Sequence, residues 1–185
     1  MRDIWVTSDT HFQHRAILTF RDADGNLIRG KHFSTVEEHD EHLIEQWNRC
    51  VKPGDKVYHL GDVVMGDKEG KEWFEKNWPR LNGSKRLIVG NHDDIKYLSS
   101  GGFFKKVSLW RVFPEFGLQL THVPVHYKSA IEWGSKDTGL HKNPFQLLNV
   151  HGHIHQHPSP EGPYKCVCVE QTNYAPVNIE ELRII

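Results

Sequence analysis

VYHLGD, at residues 57–62, is a short β-prone run that stops at a glycine and an aspartate. Two other apolar runs in the first half of the chain end in a similar way. IWVT (4–7) stops at Ser8-Asp9, and RLIV (86–89) stops at Gly90-Asn91-His92-Asp93. Polar residues therefore follow three predicted strands at the points where the strands end.

Helical patterns separate these strands. Ser34-x-x-Glu37 is a capping-box signature, and apolar residues at helical spacing behind it predict a long helix over about 35–50. A second helix is predicted over about 69–78, and residues 22–30 are turn-rich and predict a loop or small hairpin. The order strand, helix, strand, helix, strand predicts an α/β arrangement, in which ligands bind at the carboxyl ends of the strands.

The second half of the chain differs in character. Strand-like runs fall at residues 107–113, 118–123, 147–151 and 164–172, with a shorter one at 182–185 and little helix between them. Short strands joined without helices are typical of antiparallel pairing. We therefore expect a mostly antiparallel second sheet packed on the first.

Length and charge limit the classes of function. The 185 residues fit one domain over residues 1–185, and a net charge of −1 gives no positive field for wrapping duplex DNA. The apolar stretches are strand-sized and the first residues enter a strand-like run directly, so we expect a cytoplasmic protein without a membrane span. The three cysteines, Cys50, Cys166 and Cys168, cannot all pair and are expected to be buried or half-buried thiols.

Histidine is the unusual component of the composition, with 14 copies. The motifs that follow predicted strands are Asp9-x-His11, Gly61-Asp62, Gly90-Asn91-His92-Asp93, Thr121-His122 and Gly152-His153-Ile154-His155. Each motif alone is more often a turn or a cap, but their shared position at strand ends predicts a metal site. Carboxylates, imidazoles and an Asn carbonyl suit two divalent cations, with one carboxylate bridging both. If the segment from His153 to His155 is extended, its two imidazoles point in different directions, which suits two ions.

Together these motifs resemble those of the calcineurin-like metallophosphoesterase superfamily, over residues 4 to about 156. SDTHFQH (8–14), WNRCV (47–51), VYHLGD (57–62) and HGHIH (151–155) are similar, more narrowly, to compact phosphoesterases common in bacteria and their phages. The resemblance implies an α/β fold of two facing mixed β-sheets flanked by helices, with the metals over one edge of this sandwich.

The resemblance also implies a role for each residue of the site. The first metal would be held by Asp9, His11, Asp62 and His155, and the second by Asp62, Asn91, His122 and His153. Asp62 would bridge the two metals. His92 would be the catalytic acid that protonates the leaving oxygen, and the nucleophile would be a hydroxide that bridges the metals. The expected cofactors are two divalent ions, Mn²⁺ first, with Fe, Zn or Ni as alternatives.

Two residues are candidates for substrate binding. Asn91 would contact substrate as well as metal, and His14 either contacts the substrate phosphate or is a surface or supporting histidine. Protein Ser/Thr phosphatases of the superfamily carry an Asp and an Arg shortly after Gly-Asp, whereas Val63-Val64-Met65 stands here. A phosphoprotein substrate is therefore disfavoured, and Asp93 becomes a candidate to orient His92.

The remaining histidines and aromatic residues have weaker signals. His39 and His42 are predicted on a solvated helix face, and His59 and His151 are predicted as buried histidines that support the core or the site. The candidates for the wall of a substrate pocket are His126, Tyr127 and His141. The tryptophans expected to pack in the protein rather than stack on bases are Trp73, Trp78, Trp110 and Trp133, the last of which is the best candidate for an exception.

These observations favour a hydrolase of phosphodiesters in nucleotides or short nucleic-acid ends. The alternative enzyme is a phosphomonoesterase acting on nucleotides or other small phosphorylated metabolites. A third class is a binding module that kept the fold and lost catalysis, but such a protein is expected to lose ligands, and none is missing here. We infer no obligate protein partner.

Overall fold

In the computed structural model, which describes residues 2–125 and 147–183, the chain forms two β-sheets. The first sheet contains β1 (Ile4–Thr7), β2 (Lys56–His59), β3 (Ser84–Ile88), β4 (Val107–Ser108) and β9 (Val177–Asn178). The second sheet contains β5 (Trp110–Phe113), β6 (Leu118–Thr121), β7 (Leu148–His151) and β8 (Tyr164–Cys166). The helices α1 (Val36–Cys50), α2 (Lys68–Asn77) and α3 (Ile95–Ser100) connect successive strands of the first sheet.

The first sheet has the strand order β4-β3-β2-β1-β9. Strands β1 to β4 pair in parallel, and β9, which the sequence did not reveal, pairs antiparallel with β1. Because parallel strands share a direction, the carboxyl ends of β1, β2 and β3 meet at one edge. The α/β pattern predicted for the first half is therefore present.

The second sheet has the order β5-β6-β7-β8, and the expectation that it is mostly antiparallel is wrong. Only β5 and β6 pair antiparallel, while β6 with β7 and β7 with β8 pair in parallel. The connections over 122–147 and 152–163 are long enough for crossovers, so the lack of predicted helices did not require hairpins. Both sheets are mixed.

Several boundaries differ from the sequence prediction. The run at 107–113 is divided at Leu109 between β4 of the first sheet and β5 of the second. The run at 164–172 leaves the sheet after Cys166, and Leu182 ends a 3-10 helix rather than a strand. The N-cap of α1 is Thr35, one residue later than predicted, because its hydroxyl accepts from the backbone N–H of Glu38 at 3.1 Å.

Two apolar layers hold the sheets and helices together. Leu43 and Trp47 of α1 and Phe74 of α2 pack against one face of the first sheet. Val6 and Val150 belong to a second layer that fills the space between the two sheets. The fold is therefore a sandwich of two mixed sheets with flanking helices, as predicted. Within the two described ranges, no helix combines the length and apolarity needed to cross a bilayer.

Candidate metal centre

Loops from both sheets meet at the carboxyl ends of the central strands. In the first sheet, Asp9 follows β1, Asp62 follows β2 and Asn91 follows β3. From the second sheet, His122 follows β6, and His153 and His155 follow β7. Backbone hydrogen bonds tie these loops together: Asp9 N–H donates to Gly61 O at 3.0 Å and His11 N–H donates to Asp62 O at 3.0 Å.

The predicted ligands form two groups. The first cluster is Asp9, His11 and His155, and the second cluster is Asp62, His122 and His153; within each, one ligand atom per residue lies within 4.8 Å of the others. Asn91 joins the second cluster, because its Oδ1 lies 2.8 Å from His122 Nε2 and 2.9 Å from His153 Nδ1. Asp62 Oδ2 lies between the clusters, 3.6 Å from His11 Nε2 and 3.6 Å from His122 Nε2. The structure thus brings all the predicted ligands to one place.

Unpaired polar atoms show that the first cluster fits a cation. Asp9 Oδ1 and His11 Nε2 are buried without a hydrogen-bond partner, and they are 3.8 Å apart, too far to bond one another. A buried polar atom left unpaired costs about 1–3 kcal/mol. Coordination of a divalent cation by these oxygen and nitrogen atoms would remove that cost.

The ligand loops have an uncommon backbone conformation. Positive φ angles occur at Asp9 (59°), His11 (48°), Asp62 (55°), His153 (71°) and His155 (51°). Non-glycine residues seldom adopt this left-handed region, and such strain clusters at functional sites. The segment from His153 to His155 is therefore a turn and not an extended strand, so that part of the sequence argument is wrong. The turn nevertheless directs the two imidazoles to different clusters.

The surroundings of two ligand histidines, His122 and His11, suit them to metal binding. His122 Nδ1 lies 2.7 Å from the carbonyl oxygen of Leu60, which can only accept, so Nδ1 donates to Leu60 and Nε2 is the nitrogen that faces the cluster. Burial, above all, lowers the pKa of His11 well below its usual value, and the charge on Arg29 adds to the shift. The lowered pKa keeps His11 in the neutral form that a metal ligand requires.

His92 and His14 lie beside the clusters but outside them. The His92 ring is exposed, with its centroid 5.8 Å from that of His11, and the His14 ring is half-buried, with its centroid 5.5 Å from that of His11. Burial lowers the pKa of His14, with a further contribution from His92. The predicted roles in proton donation and substrate contact are compatible with these positions and stay predictions.

Asp93 does not orient His92, so that hypothesis is wrong. Its two carboxylate oxygens accept backbone N–H groups of Asp62 (3.2 Å), Val63 (2.9 Å) and Gly90 (2.8 Å). Asp93 therefore joins the loops after β2 and β3, and its burial is the main reason that its pKa is raised.

Two charged residues near the site were missed by the sequence analysis. Arg29 is 0% exposed and donates to the carboxylate of Glu170, which in turn contacts His155. Burial alone would raise the pKa of Glu170, but Arg29 and His155 outweigh it and lower the pKa to about 2. Arg29 lies in the turn-rich stretch and Glu170 in a strand-like run, and neither has a local sequence signal.

The prediction that His39 lies on a solvated helix face is wrong. His39 is fully buried, and its Nε2 lies 3.0 Å from Arg29 Nη1.

The other candidates are distributed as follows. His59 and His151 are buried and hydrogen-bonded, as expected. Trp78 packs in the core, whereas Trp110 is 60% exposed, so its predicted packing role is wrong. The cysteines are free thiols, and Cys168 Sγ lies 3.2 Å from Asp9 Oδ2. The candidates that fall outside the described residues are His126, Tyr127, Trp133 and His141.

Comparison with known proteins agrees with this geometry. Residues 2–161 match the family model for calcineurin-like phosphoesterases. An uncharacterised protein of Methanocaldococcus jannaschii is 30% identical over 97% of this chain and 89% of its own length. The Gene 66 protein of Mycobacterium phage L5 is 31% identical over 84% of this chain and 78% of its own length.

A solved structure supports the fold. A protein of unknown function from Aquifex aeolicus matches with a TM-score of 0.66 and 24% identity, over 98% of both chains. The family model covers most of the chain, and the two ligand clusters lie within the region that it matches. The protein is therefore a metal-dependent phosphoesterase and belongs to the calcineurin-like phosphoesterase family.

Proposed function

We propose that the protein hydrolyses phosphodiester bonds in nucleotides or at short nucleic-acid ends, using two divalent cations. The observation that carries this proposal is the position of Asp62, whose Oδ2 is 3.6 Å from a histidine of each cluster. One carboxylate placed between two sets of ligands is suited to hold both ions. When bound, the cations would supply Lewis acidity at the phosphoryl oxygens and a water activated at neutral pH.

The residues around the clusters divide the remaining work. Asn91 Oδ1 lies at the edge of the second cluster, and the residue is exposed, so it can contact both a metal and a substrate oxygen. His92 is exposed beside the clusters without belonging to either, which suits a group that transfers a proton to the leaving oxygen. His14 lies on the same side, close to His11, and is suited to contact the phosphate.

The environment of the clusters favours diesters over monoesters. A monoester carries one more negative charge and benefits from an additional cationic side chain. Val63 and Val64, which follow Asp62, are buried apolar residues. Arg29, the buried cation behind the first cluster, donates to Glu170 and to backbone carbonyls, so its guanidinium is not free for a phosphate. A diester with a single negative charge therefore fits better.

The mixed nitrogen and oxygen ligands accept several first-row ions, so Mn²⁺ is proposed as the main cofactor, with Fe, Zn or Ni as alternatives. The single domain over residues 1–185, the cytoplasmic location and the lack of an obligate protein partner stay predictions.

Metal-stripped protein should be assayed with bis-nitrophenyl phosphate, a cyclic nucleotide and nitrophenyl phosphate, with each of the four metals added separately. We expect little turnover in chelator, recovery with Mn²⁺, and diesters hydrolysed at least about tenfold faster than the monoester, a difference of ~1.4 kcal/mol in the barrier. Preference for the monoester would establish the phosphomonoesterase instead. Full activity in chelator would rule out the two-metal proposal.

A further inference from the structure

A fully buried arginine lies behind the first cluster. Arg29 is 0% exposed, and its Nε and Nη2 lie 2.8 and 2.7 Å from Glu170 Oε1. Its Nη2 also donates to the carbonyl of Asp9 at 2.6 Å, and its Nη1 donates to the carbonyl of Thr10 at 3.0 Å. Desolvation of a guanidinium is costly, so such a residue persists only where its donors are paired. Here the partners are the ligand loop after β1 and one carboxylate.

That carboxylate also contacts a ligand of the first cluster. Glu170 Oε1 lies 2.8 Å from His155 Nδ1, and a carboxylate bonded to a guanidinium can only accept. His155 Nδ1 must therefore carry a proton, so Nε2 is the ring nitrogen that can offer a lone pair to a cation. Nε2 lies 3.8 Å from Asp9 Oδ1, on the side of the cluster.

From Arg29 a chain of hydrogen bonds runs through His39 and Asp40 to Gln13, at the far end of the loop that follows β1. His39 Nε2 lies 3.0 Å from Arg29 Nη1, and its Nδ1 lies 2.8 Å from Asp40 Oδ1. One tautomer satisfies both contacts, because Nε2 accepts from Arg29 while Nδ1 donates to Asp40. The second oxygen of Asp40 accepts from the backbone N–H of Gln13 at 3.0 Å and from its side chain at 2.9 Å. The loop that carries Asp9 and His11 is thus anchored on both sides.

We propose that Arg29 and Glu170 are positioning residues for the first cluster alone. Glu170 sets the tautomer and ring orientation of His155, and Arg29 holds Glu170 and the backbone at Asp9. The second cluster has a separate support, because His122 Nδ1 donates to the Leu60 carbonyl. This inference rests on the proposed function only in that the first cluster binds a metal.

Nitrogen NMR of the metal-free wild-type protein tests the first step. Burial alone would lower the pKa of His155, but the hydrogen bond to Glu170 outweighs it and raises the pKa, so the spectrum is recorded in mildly alkaline solution, where the ring is neutral. There we expect a proton on Nδ1 and none on Nε2. A His155 ring protonated at Nε2 and bare at Nδ1 would overturn the proposal without any variant having to fold.

A Zn²⁺ titration of Glu170→Gln tests whether Glu170 supports the first cluster alone. Binding is followed at the ring resonances of His155, in the first cluster, and of His122, in the second. Glu41→Gln is the matched control, because Glu41 also pairs with an arginine, Arg80, but at an exposed position away from both clusters. Loss of an outer hydrogen-bond partner typically weakens metal binding about 10- to 100-fold, and we expect this loss at His155 while binding at His122 stays close to that of the control. Glu170→Asp, which keeps the charge beside Arg29 but is one methylene shorter, replaces Glu170→Gln if the latter does not fold.

Equal weakening at both histidines, or no weakening at either, would overturn the proposal. None of these measurements depends on catalytic activity. If Glu170→Gln loses Zn²⁺ selectively at His155 but the wild-type protein hydrolyses no diester, this inference stands and the proposed function is refuted. If the wild type is an active diesterase and Glu170→Gln has unchanged Zn²⁺ affinity, the proposed function stands and this inference is refuted.

Discussion

The backbone N–H of His92 donates to Oδ1 of Asp62 at 2.9 Å. This bond fixes the main chain of His92 against the carboxylate that lies between the two clusters, while the imidazole remains exposed. A side chain that is held next to the proposed reaction centre but is not needed as a ligand is suited to proton transfer.

Replacing His92 by Asn should therefore leave metal content unchanged and reduce the rate in a way that depends on the leaving group. A nitrophenolate leaves readily as an anion, whereas a ribose alkoxide needs a proton in the transition state. General-acid catalysis is worth about 10²–10⁴-fold, so the alkyl ester should lose roughly that much and the nitrophenyl ester distinctly less. Rates on both esters, with metal analysis, check this. Equal losses would show that His92 stabilises phosphoryl charge, and loss of metal would show that it is a ligand.

Asp62→Ala should reduce metal content more than any other single ligand change. Its Oδ2 lies 3.6 Å from a histidine of each cluster, so both ions should be affected. His155→Ala, which alters the first cluster only, is the comparison. Metal stoichiometry after equilibration with Mn²⁺ distinguishes them: Asp62→Ala should approach zero and His155→Ala should retain one ion. Retention of both ions by Asp62→Ala would contradict the inference that Asp62 helps to bind both metals.

Gly152→Ala should distort the first cluster. An added Cβ would lie 2.0 Å from Ser8 Oγ and 2.3 Å from Asp9 Oδ2, so these groups must move. Overpacking of this kind typically costs about 1–3 kcal/mol. Gly54→Ala is the control, because its Cβ would meet nothing within 4 Å and should change stability by less than about 0.5 kcal/mol. Urea unfolding in chelator measures both. Equal stability of the two variants would show that the loop after β7 adapts freely.

His59 should make the metal-free protein sensitive to mild acid. Burial lowers its pKa from 6.5 to about 3, with a smaller contribution from the neighbouring His122. Between these values the unfolded chain binds a proton that the folded chain does not, so stability falls as pH falls below 6.5, by ~1.4 kcal/mol per pH unit.

His59→Gln lacks this titration. The free energy of unfolding of the wild type should therefore drop by about 2 kcal/mol more than that of His59→Gln between neutral pH and pH 5, measured by urea unfolding in chelator. Parallel pH profiles for the two proteins would mean that the pKa of His59 is the same in the folded and unfolded states, so that its burial does not lower the pKa.

The site was more predictable than its surroundings because its signals are local. Asp9, Asp62 and Asn91 each follow an apolar run directly, and parallel pairing brings the ends of β1, β2 and β3 together. The pairing of Arg29 with Glu170 spans 141 residues, and neither neighbourhood has a pattern that predicts it. The direction of β7 and β8 depends on how the connections pass over the sheet, which hydrophobic periodicity does not encode.

Each ligand cluster draws on both sheets. In the first cluster Asp9 and His11 come from the first sheet and His155 from the second, and in the second cluster Asp62 comes from the first sheet and His122 and His153 from the second. A bound cation would therefore act as a cross-link between the two layers, in the way that a disulfide staples two loops. At a free metal concentration 100 times its dissociation constant, such a cross-link adds ~2.7 kcal/mol to the free energy of unfolding. Resistance of this chain to proteolysis and heat would then follow the metal supply of the cell that makes it.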